Sequence, residues 1–280
     1  VKIAGRPNKE ITLDHRDSVK TVVLAVGAHP DDVEFAMAGT LVLLKRAGAS
    51  IHIWSLTDGS LGSSTLSRKD ASVVRLKEAE AAASLAGATL HAPIAADMRL
   101  SCGPELLARS TAVVREVRPS VMLVHAPEDY HPDHESACRI AVSAAFARSL
   151  PGLVTEPAAR AWGGDTTIYH CQPFANRDPL RGRVRAGQYV NIGEAMDLKR
   201  RMLRMHVSQC EWMRDSQGID FIEAMEHMAS ETANASGRFE YAEGWRRRLH
   251  AGFSTEDVDP LSDILGPSCW TDPEYESALE

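Results

Sequence analysis

Apolar residues run through this chain as short unbroken stretches that alternate with segments of helical spacing. Residues 22–26 (Val-Val-Leu-Ala-Val) are continuous and rich in β-branched side chains, the pattern of a strand buried on both faces. Met37, Leu41 and Leu44 then recur at helical intervals over 36–47, and Gly48 follows as a C-cap. Residues 51–56 predict a second strand that ends in the loop Thr57-Asp58-Gly59-Ser60. Ala, Leu, Glu and Lys dominate 71–86, a strong helix stopped by Gly87. A short strand over 89–93, a helix over 104–117, a buried strand over 121–124 and a helix over 135–149 continue the pattern. Strands that alternate with helices predict βαβ units with right-handed crossovers and a mostly parallel sheet.

Beyond Pro151 the pattern loosens. Gly163-Gly164 and 173–185 read as loops, 165–171 as a further strand, 195–215 as a long helix and 221–229 as a shorter one. Past Thr255 the chain is rich in Asp and Pro and reads as an extended surface segment. The expected organisation is an N-terminal arm over 1–20, one α/β domain over 21–255 with a C-terminal elaboration, and a tail over 256–280.

Composition narrows the partners. The chain has 280 residues, enough to bury a core without disulfides. Its net charge of −7 argues against nucleic acid, whose phosphates call for clustered Lys and Arg. The one tight basic run, Arg246-Arg247-Arg248, reads as a solvated face. Five scattered cysteines (Cys102, Cys138, Cys171, Cys210, Cys269) form no CxxC pair, which fits a reduced, cytoplasmic protein. No stretch reaches the ~20 apolar residues of a membrane span, and the first residues show no apolar leader core.

The chemistry concentrates at two strand ends. Ala28-His29-Pro30-Asp31-Asp32-Val33-Glu34 follows the first strand, and His125, Glu128, Asp129, His131, Asp133 and His134 follow the fourth. Ligands gather at the carboxyl ends of strands in doubly wound sheets. His29 with Asp32, and His131 with His134, have the i, i+3 spacing that brings two donors to one side. A cation bound by two donors from one loop and one from the other keeps a position open for water, as catalytic zinc does. Asp31 is then a candidate general base, His131 a donor to a developing oxyanion, and Asp133 a residue that orients it. Taken alone, a His-Pro-Asp turn is an ordinary surface turn; two such clusters at strand ends of one α/β unit are not. His52, His91, His170, His206, His227 and His250 read as structural, and neither a GxGxxG fingerprint nor a P-loop is present.

These residues resemble a known family. Gly27-Ala-His-Pro-Asp-Asp-Val-Glu34 together with His131-Pro-Asp-His134 is similar to the LmbE-like or PIG-L family of zinc-dependent N-deacetylases. The likeness extends over 20–150, with weaker echoes at His206-Val-Ser-Gln209 and Tyr241-Ala-Glu-Gly-Trp245, and is nearest to the bacillithiol-type branch. The resemblance implies a Rossmann-like fold and a metal, zinc or ferrous iron, held by His29, Asp32 and His134. It implies Asp31 as general base, His131 as oxyanion donor with Asp133 holding its ring, and Glu34 as a carboxylate orienting a ligand. Arg75 and Tyr241 match substrate-binding positions. Tyr130 departs from the arginine that some branch members carry before the second motif. The implied substrate is an N-acetylglucosamine-containing small molecule, and self-association into a homo-oligomer is expected. The alternatives are an amidase of thiol or antibiotic conjugates and a non-catalytic zinc- or carbohydrate-binding relative.

Overall fold

The computed structural model describes residues 20–279, so the arm expected over 1–20 lies, but for Lys20, outside the described residues. The first half of the chain alternates as the pattern predicts. It runs β1 (Val22–Gly27), α1 (Asp32–Ala36), α2 (Ala38–Arg46), β2 (Ser50–Ser55), α3 (Arg68–Leu85), β3 (Thr89–His91), α4 (Pro104–Val117), β4 (Val121–Val124), α5 (Pro132–Ala147) and β5 (Thr167–Cys171). The second half adds β6 (Gln188–Asn191), α6 (Met196–Arg204), α7 (Val207–Gln217), α8 (Phe221–Ser236), β7 (Ala242–Arg247), α9 (Pro260–Leu265), β8 (Cys269–Thr271) and α10 (Pro273–Ser277).

All eight strands form one sheet in the order β3-β2-β1-β4-β5-β7-β6-β8. The five strands from β3 to β5 are parallel, and β7, β6 and β8 continue the sheet antiparallel. Side chains alternate across the sheet, as a strand's period of two requires. Val23 and Ala25 face a core shared with α2 and α6, while Leu24 and Val26 face one shared with α4 and α5. The fold is therefore α/β with helices on both faces. Strand order reverses beside β1: β2 lies on one side and β4 on the other, with Val26 opposite Val124. The loops leaving β1 and β4 thus open from one crevice, the topological switch point where ligands bind in such sheets.

Several elements differ from expectation. The helix over 36–47 is broken at Met37 (φ −133°), which separates the short α1 from α2. Glu243 accepts hydrogen bonds from the Gly39 and Thr40 amides at the start of α2, at 2.8 and 2.7 Å. It is itself paired with the buried Lys199. Gly39 is obligatory in this docking, because a Cβ there would lie 2.6 Å from Ile192 Cγ2. The helix over 195–215 divides at His206 (φ −83°, ψ 61°), and the helix from Phe221 runs on to Ser236. Residues 256–279 are not an extended tail. Asp259 accepts from Tyr169 Oη at 2.7 Å and Gln188 Nε2 at 2.5 Å, and β8 pairs with β6 at the sheet edge. Among the described residues no helix is long and apolar enough to cross a membrane.

Candidate metal centre and cavity

The loop after β1 is built around Asp32. Its Oδ2 accepts the Ala28 and His29 amides at 2.9 and 2.7 Å, and His125 Nε2 lies 3.1 Å away. Those amides and the imidazole converge on one oxygen, and the Ala28 amide also donates to His125 Nε2 at 3.0 Å. Oδ1 is left to face His134 Nε2 at 3.3 Å. Between these donors the chain passes through Asp31 at φ 119°, a left-handed backbone that costs a non-glycine residue on the order of 1–3 kcal/mol.

The loop after β4 supplies the other half. His131 is the N-cap of α5, with Pro132 in the first turn; its Nδ1 accepts the Asp133 amide at 3.1 Å. That bond leaves the His131 proton on Nε2. His134 Nδ1 lies 3.0 Å from Asp129 Oδ1, which turns Nε2 toward Asp32. His29 stands between two carboxylates, Nδ1 3.4 Å from Asp32 Oδ2 and Nε2 3.3 Å from Asp133 Oδ2. Asp133 therefore holds the His131 ring through its backbone amide, while its carboxylate serves His29 and the Met98 amide.

Two donor sets share His134: His29 with His131, and Asp32 with His125. Within each set the ligand atoms lie within 4.8 Å of one another. Imidazole nitrogens grouped with a carboxylate oxygen at this spacing fit a divalent cation such as zinc or ferrous iron. The electrostatics agree. Burial works against a charge on His29 and His134, yet carboxylates prevail. Asp133 and Asp32 raise His29 to about 9, and Asp32 and Asp129 raise His134 to about 10. Burial alone would raise Asp32, but His134 and His125 hold it well below the usual carboxylate range. Asp31 goes the other way: burial pushes it up to about 6 against the opposing pull of Arg75.

The cluster opens into a cavity of about 230 Å³. One wall is a run of aromatic rings starting at the cluster. Tyr130 lies 5.6 Å from His134 and 5.3 Å from Phe174; Phe174 is 5.8 Å from Phe35, which stacks on Phe221 at 5.0 Å. Arg75 lines the cavity but is 3% exposed. Its guanidinium binds Asp31 Oδ2, Pro30 O and Gly59 O.

The structure brings His29, Asp31, Asp32, His131, Asp133, His134 and Arg75 to one place. It does not bring Tyr241 there: that ring packs on the core beside α6, with the Arg200 guanidinium 5.8 Å away, and does not line the cavity. Glu34 reaches no cluster residue either, and instead faces the fully buried His206 at 3.4 Å. Sequence reasoning had placed His125 and Asp129 at the right strand end without giving either a part. Direct succession to β4, mirroring Ala28 and His29 after β1, was the available signal for His125. Phe174 carries no such signal, because it sits in a loop whose docking only the fold reveals.

A doubly wound α/β protein with a His/Asp donor cluster at its switch point is the class these features define. Residues 24–146 match the PIG-L family, described as GlcNAc-PI de-N-acetylase. Diacetylchitobiose deacetylase of Thermococcus kodakarensis is 28% identical over 193 residues, spanning 67% of this chain and 69% of that protein. The 4-oxalmesaconate hydratase of Pseudomonas putida is 28% identical over 184 residues, 63% of this chain and 69% of its own. The solved N,N'-diacetylchitobiose deacetylase of Pyrococcus horikoshii shares the fold with a TM-score of 0.70 at 22% identity, over 86% of this chain and 88% of that one.

Proposed function

We propose that the protein is a metal-dependent hydrolase that removes an N-acetyl group from an N-acetylglucosamine-containing small molecule. The observation that carries this is Asp31, a buried carboxylate beside the donor cluster but outside both donor sets. A structural metal site has no use for a strained extra carboxylate raised to about 6.

His29, Asp32 and His134 would hold the cation, with His125 steadying the Asp32 carboxylate through Oδ2. A divalent cation there supplies polarisation of the acetamide carbonyl and a water of lowered pKa. Asp31 takes the proton of the attacking water and returns it to the leaving amine. His131, its Nε2–H free because Nδ1 accepts the Asp133 amide, donates to the carbonyl oxygen as negative charge builds. Losing one such donor costs about 10²–10³ in rate.

The hydratase relative suggests a second reading, addition of activated water to an unsaturated acid. The cavity disfavours it: Arg75 is the sole Lys or Arg among the described lining residues, and it is spent on Asp31 and backbone carbonyls. An acid substrate would meet carboxylates there instead.

The test is acetate release from N-acetylglucosamine and its glycosides, with and without chelator. Asp31→Asn is expected to keep its metal and lose most turnover, and His134→Ala to lose both. Wild-type turnover in Asp31→Asn at full metal occupancy would remove Asp31 from the mechanism.

A further inference from the structure

The basic run Arg246-Arg247-Arg248 is not one solvated face. It lies at the end of β7, where successive side chains alternate. Arg247 turns to one side, pairs with Asp257 and donates to Val258 O at 2.9 Å. Arg246 and Arg248 share the other side with His170, which stands opposite Arg246 in the register, while the Arg248 amide donates to Ile168 O. Among the described residues the arginines in ion pairs are Arg75, Arg185, Arg200 and Arg247, so Arg246 and Arg248 have no carboxylate. The Arg246 Nε is buried and has no hydrogen-bond partner there either. In a chain of net charge −7, guanidiniums left uncompensated beside one another call for an explanation.

Arg248 borders an open cavity of about 520 Å³ against α5. The helix lines it with Ser136, Arg139 and Ser143, whose spacing of three and four residues keeps them on one side. Ser143 Oγ accepts from Cys102 Sγ at 3.5 Å, so its own proton is free to be donated. Arg139 is exposed and, like Arg248, forms no ion pair among the described residues. Glu135 stands four residues before it, the spacing of a helical salt bridge, but its Oε1 accepts the Asp129 amide at 3.1 Å instead. The Arg248 guanidinium is held in place, with Nη1 3.4 Å from His170 Nε2 and its carbon 5.6 Å from the centre of the Phe253 ring. Burial pushes His170 down to about 4, so the ring is neutral near pH 7. Its Nδ1 donates to His125 O at 2.9 Å, which leaves Nε2 to accept from Arg248.

We propose that this cavity binds a phosphate group, held between the Arg139 and Arg248 guanidiniums with the Ser136 and Ser143 hydroxyls as further donors. A guanidinium presents paired N–H donors that match two oxygens of a phosphate, and two guanidiniums balance a dianion. Serine hydroxyls donate to the same oxygens. Glu135 is the one carboxylate that lines the cavity, and Arg246, on the same side of β7 as Arg248, offsets its charge. The group is either free phosphate or the phosphate of an ester, since both show the same oxygens to the arginines. None of the residues lining this cavity lines the one beside the His/Asp cluster. The site is therefore separate from the acetamide chemistry and does not rest on the deacetylase reading.

The test is calorimetric titration of the metal-loaded protein with inorganic phosphate, with glycerol phosphate and with acetate as the control anion. Saturable phosphate binding is expected. Arg139→Gln and Arg248→Gln should each weaken it about tenfold or more, the effect of losing a hydrogen bond to a charged group. Arg248→Lys keeps the charge without the planar fork and should recover only part of the affinity. Arg248 also touches His170 and Phe253, whereas Arg139 is exposed, so Arg139→Gln reads the ligand at an unchanged melting temperature. Tighter binding of glycerol phosphate than of inorganic phosphate assigns the site to an ester, and the reverse order assigns it to the free anion. Phosphate bound at the metal instead would survive both substitutions. Affinity unchanged in Arg139→Gln and Arg248→Gln, acetate bound as tightly as phosphate, or no saturable binding of either phosphate overturns the assignment.

Discussion

Arg75 Nη2 lies 3.0 Å from Asp31 Oδ2, both side chains buried, and the same nitrogen donates to Pro30 O at 2.6 Å. The guanidinium thus holds both the carboxylate and the strained backbone that carries it. Such an arginine positions Asp31 and does not present a free cation to substrate. Removing it also removes the charge that opposes burial, so the Asp31 pKa must rise above about 6. A general base has to be ionised, so the acid limb of the pH–rate profile should move to higher pH in Arg75→Met. Turnover near neutrality should fall on the order of 10²-fold, the lower end for a lost general base, with metal content retained. Arg75→Lys restores charge without the planar fork and should recover only part of the rate. An unmoved acid limb would assign Arg75 to packing alone.

On the proposed ligand set, metal and protons compete for the same nitrogens. In the metal-free protein His29 and His134 are raised to about 9 and about 10 from an ordinary 6.5. A raised folded pKa contributes stability that is whole below the unfolded value and lost as pH climbs through the folded one. Asp31, raised from 3.8 to about 6, acts with the same sign in a lower window. The chelated protein should therefore melt at falling temperature from about pH 6.5 to about pH 10. Metal reverses the trend across the lower part of that range, since ligands bind it deprotonated. Near pH 7, uptake should release roughly two protons. Calorimetry in buffers of different ionisation heat measures that number, and a value of zero would exclude His29 and His134 as ligands.

His125 Nε2 lies 3.1 Å from Asp32 Oδ2, and its ring stacks on that of His134, whose Nε2 faces Oδ1. His125→Ala removes that contact and frees the carboxylate to rotate. Metal affinity should fall about 10–100-fold, the usual cost of losing a partner that orients a ligand. His125→Asn, whose amide can still donate to Oδ2, should recover part of it. Metal-competition titration of the two variants separates this role from direct ligation, in which Asn would not help.

The parallel half of the fold could be read from the chain because its signals are local. The runs at 22–26 and 121–124 are unbroken apolar, and a strand buried on both faces needs nothing else to be recognised. The antiparallel half was silent for the converse reason. Gln-Tyr-Val-Asn in β6 and Ala-Glu-Gly-Trp-Arg-Arg in β7 are short and half polar. Their polar members find partners only after folding: Gln188 meets Asp259, and Glu243 meets Lys199. The same holds at the cavity. His29, Asp32, His131 and His134 announce themselves by spacing, whereas Phe174 acquires meaning from the wall it reaches. Tyr241 shows the opposite error, a recognisable segment whose ring the fold directs elsewhere.

The chain after residue 255 offers a clean stability test, because its anchor is remote from the chemistry. Asp259 caps α9, accepting the Ser262 amide at 3.5 Å and the Ser262 hydroxyl at 2.7 Å, and also receives the Tyr169 hydroxyl and the Gln188 amide. Tyr169 is fully buried, so Asp259→Ala leaves its hydroxyl donor without an acceptor, while Gln188 Nε2 keeps Ser262 Oγ and Thr271 Oγ1. An orphaned buried group costs about 1–3 kcal/mol. For a domain of this size that corresponds to a melting temperature lower by on the order of 5 °C. Asp259 does not line the cavity, so kcat, KM and metal content should stay at wild-type values below the transition. Tyr169→Phe combined with Asp259→Ala should lose less than the sum of the two single changes, because each already breaks the shared bond. Strict additivity, or an unchanged melting temperature in Asp259→Ala, would mean that the segment from α9 to α10 does not hold the antiparallel edge of the sheet.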